Sequence, residues 1–300
     1  MEKSASLTRS PFVALILASG LLALAAQATP APTAAQIAAW NAPHAPYKVY
    51  GNTYYVGTQG LSAVLITSDY GHVLIDGGLS ESAPQIIANI QKLGFKPTDI
   101  KALLNSHAHF DHAGGLAELQ RVTGAPLYLR RPSEDVLRTG KLTRSDPQFG
   151  LKAPAMAAAK TIWIVSDEQW LGVGSNRLRA WATAGHTPGG TTWSWESCEG
   201  QKCLQMVYAD SLSPVSADRF RFTASKDYPT ALADFEQAFA RLASMPCDVL
   251  ITPHPEASNL FDRAAQDASG CKAYAQAARA KLAERVAEET AAAAAAKLAR

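Results

Sequence analysis

The chain has 300 residues, with 28 basic against 26 acidic side chains and 47% hydrophobic residues. That near-balance, without a clustered basic stretch, gives no basis for nucleic-acid binding, so no nucleic-acid partner is expected. The length suits one large hydrophobic core in a single domain.

The first feature in chain order is a leader. Residues 1–10 carry Lys3 and Arg9, residues 11–26 are almost wholly apolar, and Ala26-Gln27-Ala28 offers a small-X-small cleavage point. This is the pattern of a secretory signal peptide. Its apolar core, interrupted by Ser19 and Gly20, falls short of the ~20 residues of a permanent membrane span. The expectation is a leader over 1–28, cleaved on export to the periplasm, then a single domain over 29–300 with no stable membrane insertion, acting as a monomer. Removing the leader leaves 300 − 28 = 272 residues with 26 basic against 25 acidic side chains, a charge of +1.

Strand-like runs follow at 48–57, 62–67 and 73–76, the last two joined by a turn at 68–71. Ile86, Ile87, Ile90 and Leu93 then recur at helical spacing. Asp76, an acid at a strand end before Gly77-Gly78, reads as a turn residue. His44 in a Pro-rich approach and His72 beside the Asp69-Tyr70-Gly71 turn read as ordinary residues.

The apolar run Ile100, Ala102, Leu103, Leu104 leads into NSHAHFDHAGG, residues 105–115. His107-X-His109-X-Asp111-His112 places four potential metal ligands in six positions, using three of the chain's seven histidines. In extended backbone, side chains two apart share a side, so His107 and His109 can grip one ion. Asp111 and His112, where the chain turns over Gly114-Gly115, suit a second. Two more histidines stand at the ends of apolar strands where Gly or Pro shapes the loop: His186 in AGHTPGG after 178–183, and His254 in TPHP after Val249-Leu250-Ile251. The sets His107/His109/His186 and Asp111/His112/His254 each leave an open coordination position, which marks catalytic rather than structural zinc. Two zinc ions are the expected cofactors.

Strand and helix patterns recur over 100–137 and 161–245, with Phe235, Phe239 and Leu242 on one helical face. Tyr274, Ala278, Leu282 and Val286 step by four, so 272–300 reads as a C-terminal helix running into a frayed Ala-rich tail at 291–296. Four cysteines in an oxidising compartment allow three connectivities. The preferred pairs are Cys198–Cys203, closing a short loop around Gly200, and Cys247–Cys271, tying a strand start to the last helix.

With these residues in place, the sequence resembles the metallo-β-lactamase superfamily, and within it the zinc β-lactamases of the third subclass. The resemblance runs from about Tyr47 to Cys271 and covers the His-X-His-X-Asp-His motif, AGHTPGG, TPHP, LIDGG at 74–78 and YADSLS at 208–213. It implies an α/β fold, the four-layer αββα sandwich, with metals at one edge of the β layers. It also implies hydrolysis of the β-lactam amide of penicillins, cephalosporins and carbapenems, small-molecule substrates, and hence antibiotic resistance. In that reading the His107/His109/His186 zinc polarises the lactam carbonyl, and Asp111 orients the nucleophile as well as ligating the second zinc. Ser211 stands where other subclasses carry a zinc-binding Cys. Ser211 and Ser213 become candidates for the substrate carboxylate, and the loop 145–160, with Gln148, Phe149 and Met156, becomes a wall of the site, as does Trp40. Asp210 has two readings. The resemblance places it behind the ligands, whereas relatives that cleave thioesters, lactones or RNA use such an Asp to bridge two metals. The rival functions are a thioester or lactone hydrolase on the same scaffold and a non-catalytic periplasmic zinc-binding protein.

Overall fold

A computed structural model describes residues 31–262 and 267–299; the leader over 1–28 lies outside the described residues. Apolar runs rich in β-branched and aromatic residues pair into two sheets. The first contains β1 (Tyr47–Tyr50), β2 (Thr53–Tyr55), β3 (Val64–Ile66), β4 (His72–Ile75), β5 (Ile100–Leu104), β6 (Leu127–Arg130) and β7 (Ile162–Val165), in that spatial order. Its first four strands are antiparallel neighbours, and β4 to β7 run parallel. The second contains β8 (Trp170–Val173), β9 (Asn176–Ala182), β10 (Thr191–Glu199), β11 (Lys202–Tyr208) and β12 (Val249–Ile251), antiparallel except for the β11–β12 pair.

The run 48–57, expected as one strand, is a hairpin. Gly51 turns the chain at φ +53°, where a Cβ would strike the backbone of Cys198 at 2.7 Å. Glycine meets both demands, so the run splits into β1 and β2.

Period-two alternation divides each strand between two cores. Val73 and Ile75 of β4 face Leu178, Ala180, Trp193 and Met206 of the second sheet, while Leu74 between them faces the helices. The outer face of the first sheet is covered by α2 (Ala83–Lys92), α4 (Leu116–Thr123) and α5 (Glu134–Thr139); α1 (Ala34–Trp40) and the single turn α3 (Phe110–Ala113) lie nearer the site. Val207, Ala209 and Leu250 on the far face of the second sheet pack under α6 (Ala231–Ser244) and α7 (Gly270–Leu298). The layers are therefore helix, sheet, sheet, helix, as expected. Ile86 and Ile90 of α2, Phe235, Phe239 and Leu242 of α6, and Ala278 and Leu282 of α7 are the buried faces that the helical spacing marked. The Ala-rich segment continues α7, which runs to Leu298. Cys198 stands at disulfide-bonding distance from Cys203, and Cys247 from Cys271.

Candidate metal centre

Loops from the C-terminal ends of β4, β5, β9, β11 and β12 meet on one edge of the sandwich, and buried polar contacts lock them together. Asp76, after β4, has φ +59° and is fully buried. Its Oδ1 accepts from the Ser106 N–H at 2.8 Å, and its Oδ2 from Ser106 Oγ at 2.6 Å and the Tyr208 hydroxyl of β11 at 2.9 Å. It does more than shape its own turn, because it pins the start of the histidine motif to both sheets. From the second sheet, Trp193 Nε1 donates to the Asn105 carbonyl at 3.1 Å and Thr191 N to the Ser106 carbonyl at 2.8 Å. The chain stays extended through His109 and then turns into α3, so His107 and His109 share one side while Asp111 and His112 come round on another.

His107, His109 and His186 form a nearly equilateral triangle, with ring centroids 4.8, 4.9 and 4.9 Å apart. Each ring has one nitrogen engaged on its outer side. His107 Nδ1 meets Asp210 Oδ1 at 2.7 Å, His186 Nδ1 donates to the Ser213 carbonyl at 2.7 Å, and His109 Nε2 lies 3.1 Å from both oxygens of Asp146. Acceptors on the outer nitrogens fix the tautomer that leaves the other nitrogen a lone pair for a metal. Burial holds His107 well below the ordinary imidazole pKa and lowers His186 to about 3, so both are in the neutral, ligating form. Burial pulls His109 down too, but the Asp146 carboxylate outweighs it and raises its pKa.

The second set converges on Asp111, whose Oδ2 lies 3.2 Å from His112 Nε2 and 3.3 Å from His254 Nε2. Donors bound at 2.0–2.1 Å to a tetrahedral ion stand about 3.3 Å apart, which these two separations match, and His107, Asp111 and His112 also offer donor atoms within 4.8 Å of one another. Burial opposes ionisation of Asp111, yet His112 and His254 hold its carboxyl well below the usual range. His254 is steadied by the Gly60 carbonyl, 3.3 Å from its Nδ1. The two sets adjoin, with the His107 and His112 rings 4.5 Å apart. His107 Nε2, opposite the nitrogen that meets Asp210, is buried without a partner. Such a group costs about 1–3 kcal/mol when left unmet, and a metal at this position would satisfy it. The donors are nitrogen and carboxylate oxygen with no thiolate, a set that suits zinc and its neighbours.

Asp210 does not face the cleft. Its carboxylate lies behind His107, and Gly190 gives it room, since a Cβ there would fall 2.4 Å from Asp210 Oδ2. The geometry places it as a support for His107, away from the bridging position left open by sequence.

A cleft of about 200 Å³ spans both sets and is lined also by Trp40, Gln148, Leu151, Ser211 and Ser213. A roomier cavity of about 370 Å³, walled by His44, Tyr47 and Phe261, lies elsewhere and touches none of these six side chains. Trp40 packs on the His254 ring at 5.2 Å, so it serves both packing and wall. Of the wall loop, Gln148 reaches the cleft, whereas Phe149 and Met156 line an adjoining cavity of about 330 Å³ shared with His109. Sequence reasoning did not single out Asp146, which has no motif around it and meets His109 across 37 positions. It also gave Ser213 a hydroxyl role only, while its carbonyl holds His186.

Fold and site together define a metal-dependent hydrolase. The sequence pattern of the metallo-β-lactamase superfamily matches residues 56–204. The solved structure of the Rm3 metallo-β-lactamase is 49% identical with a TM-score of 0.84, covering 86% of this chain and 100% of that one. MEM-A1, a subclass B3 metallo-β-lactamase from a soil metagenome library, is 46% identical with a TM-score of 0.82, covering 84% and 99%. Among curated relatives, the probable metallo-hydrolase YqgX of Bacillus subtilis is 28% identical over 46% of this chain. The chain spans 62% of that relative's length, and less still of others it matches. The chain belongs to the metallo-β-lactamase superfamily, and its similarity within it is to the enzymes of subclass B3.

Proposed function

We propose that this protein is a two-zinc β-lactamase that hydrolyses the amide bond of penicillins, cephalosporins and carbapenems, conferring resistance to them. The carrying observation is the pair of three-donor sets, one ring-width apart, opening on a single cleft in a chain 49% identical to a metallo-β-lactamase over that protein's full length. His107, His109 and His186 would hold one ion, and Asp111, His112 and His254 the other. Zinc in such a site supplies Lewis acidity and lowers the pKa of a coordinated water to about 7.

The chain's own residues do the rest. Asp111 is ionised and pointed into the cleft, so its carboxylate can accept a hydrogen bond from the attacking water and aim it. Ser211 and Ser213, on the β11 side of the cleft, offer hydroxyl donors to the carboxylate that β-lactams carry beside the scissile amide. Gln148 from the wall loop and Trp40 from α1 flank the bound ring, orient it and exclude bulk water. Export by the N-terminal leader, cleavage after Ala28, a monomeric periplasmic form and two structural disulfides complete the proposal; the adjacent cysteine pairs suit an oxidising compartment.

The test is hydrolysis of a penicillin, a cephalosporin and a carbapenem beside a thioester and an acyl lactone, with and without chelator. The proposal expects chelator-sensitive turnover of the β-lactams. Turnover confined to the thioester or lactone would replace it with the rival reading.

A further inference from the structure

We propose that Asp146 is a positioning residue that couples the wall of the cleft, residues 145–151, to the metal-binding trio through His109. The inference rests on the metal-centre reading above and adds a second role for the loop, as part of the support of a ligand.

Asp146 is 3% exposed and has two jobs at once. Both carboxylate oxygens stand 3.1 Å from His109 Nε2, so the ring N–H points between them. The same Oδ1 accepts from the Gln148 N–H at 2.8 Å, and the Asp146 carbonyl accepts from Phe149 N at 2.9 Å. One carboxylate thus holds both the ligand ring and the loop that borders the substrate cleft. No Lys or Arg among the described residues forms an ion pair with it; Arg144, two positions away, faces Asp227 instead, at 4.0 Å. A buried carboxylate needs a compensating charge. Here the carboxylate's partners are the His109 ring and the Gln148 N–H.

The neighbouring loop is tied in as well. Ala217 N donates to the Pro147 carbonyl at 2.8 Å, and the segment leading to Ala217 carries the Ser213 carbonyl that holds His186. Two of the trio's three outer anchors therefore come from cleft-lining loops. Coupling of this kind is reciprocal: whatever orders the wall loop tightens the metal site, and metal in the site orders the wall loop by the same factor. Substrate packed against Gln148 and Leu151 would then favour retention of the ion beneath it.

The experiment is zinc titration of the chelator-stripped full chain against a competing chromophoric chelator, with hydrogen exchange of residues 145–151 followed with and without zinc. Wild type, Asp146→Ala, the isosteric Asp146→Asn and Asp227→Asn are compared, the last removing an exposed acid outside the site. Zinc is expected to slow exchange across 145–151 in wild type and in Asp227→Asn. Asp146→Ala should bind zinc about 10–100-fold more weakly and lose the response of its loop to zinc. Asp146→Asn, which keeps shape and one acceptor without charge, should fall between, and it carries the measurement if the alanine variant does not fold. Zinc affinity and loop response in both Asp146 variants equal to wild type would overturn the coupling alone. Failure of wild type to take up zinc would overturn the metal-centre reading and the coupling with it.

Discussion

Asp210 supports His107 from the side away from the cleft, its Oδ1 2.7 Å from the ring's Nδ1 and its carboxylate wholly buried. Without a cation nearby, burial and the neighbouring Asp76 push the Asp210 carboxyl well above the usual range. A divalent ion on the far side of His107 favours the ionised carboxylate, which in turn makes the ring a better ligand. The pair and the ion therefore stabilise one another.

Asp210→Asn should keep the fold and both ions while weakening affinity or activity by about 10–100-fold, the usual cost of an outer support. Asp111→Asn removes a ligand charge and should lose most of the activity together with the second ion. Metal counts and β-lactam hydrolysis rates on the two variants check this. Loss of both ions from Asp210→Asn alone would show that Asp210 bridges.

A pH dependence comes from the last helix. Arg285 and Glu289 of α7 are buried; Arg285 Nε donates to Glu289 at 2.9 Å and its Nη2 to Ser216 Oγ at 2.9 Å. Glu289 also accepts from Phe222 N at 3.1 Å, Thr223 N at 3.0 Å and Thr223 Oγ1 at 2.9 Å. Burial alone would raise its pKa, but these donors outweigh it and hold the carboxyl below its ordinary value. A depressed folded-state pKa contributes stability that is present above the unfolded value of about 4.3 and lost as pH falls through the folded value. Urea unfolding of chelator-stripped protein should therefore show stability declining below about pH 4.3, with Glu289→Gln flattening part of that decline. At neutral pH Glu289→Ala should cost about 3–5 kcal/mol, because Arg285 is left buried without its partner.

Cys247, just before β12, and Cys271, at the start of α7, are 24 positions apart. A covalent link over that loop should contribute about 2–4 kcal/mol. Peptide mass spectrometry of oxidised protein should recover the linked pair, and reduction should lower the urea midpoint. Both thiols free in protein recovered from the periplasm would remove the link and weaken the export proposal.

The six side chains proposed as ligands were legible as a cluster because their chemistry is local. Four sit in one six-residue motif and two just past the ends of apolar strands, and strand ends on one edge of a sandwich converge by topology. What escaped depends on distance in sequence. Whether Asp210 bridges or supports is decided by the approach of Gly190 and the aim of one rotamer, neither of which a spacing records. Asp146 has an unremarkable loop around it, and its meaning appears only when His109 is placed against it. Arg285 and Glu289 carry charge at helical spacing, which reads as a solvated face until the segment from Ser216 to Thr223 folds over it. The hairpin at Gly51 was hidden because the aromatic and apolar run continues on both sides of it, and only the approach of Cys198 to Gly51 shows that the chain must turn there.

The most direct test of the central claim is the rate of carbapenem hydrolysis by chelator-stripped protein as zinc is added back by equivalents. The account predicts negligible turnover without zinc and a rate that rises and levels at two ions per chain, with His254→Ala unable to retain the second. Full turnover in the metal-free protein, or none with two zinc ions bound, would contradict it.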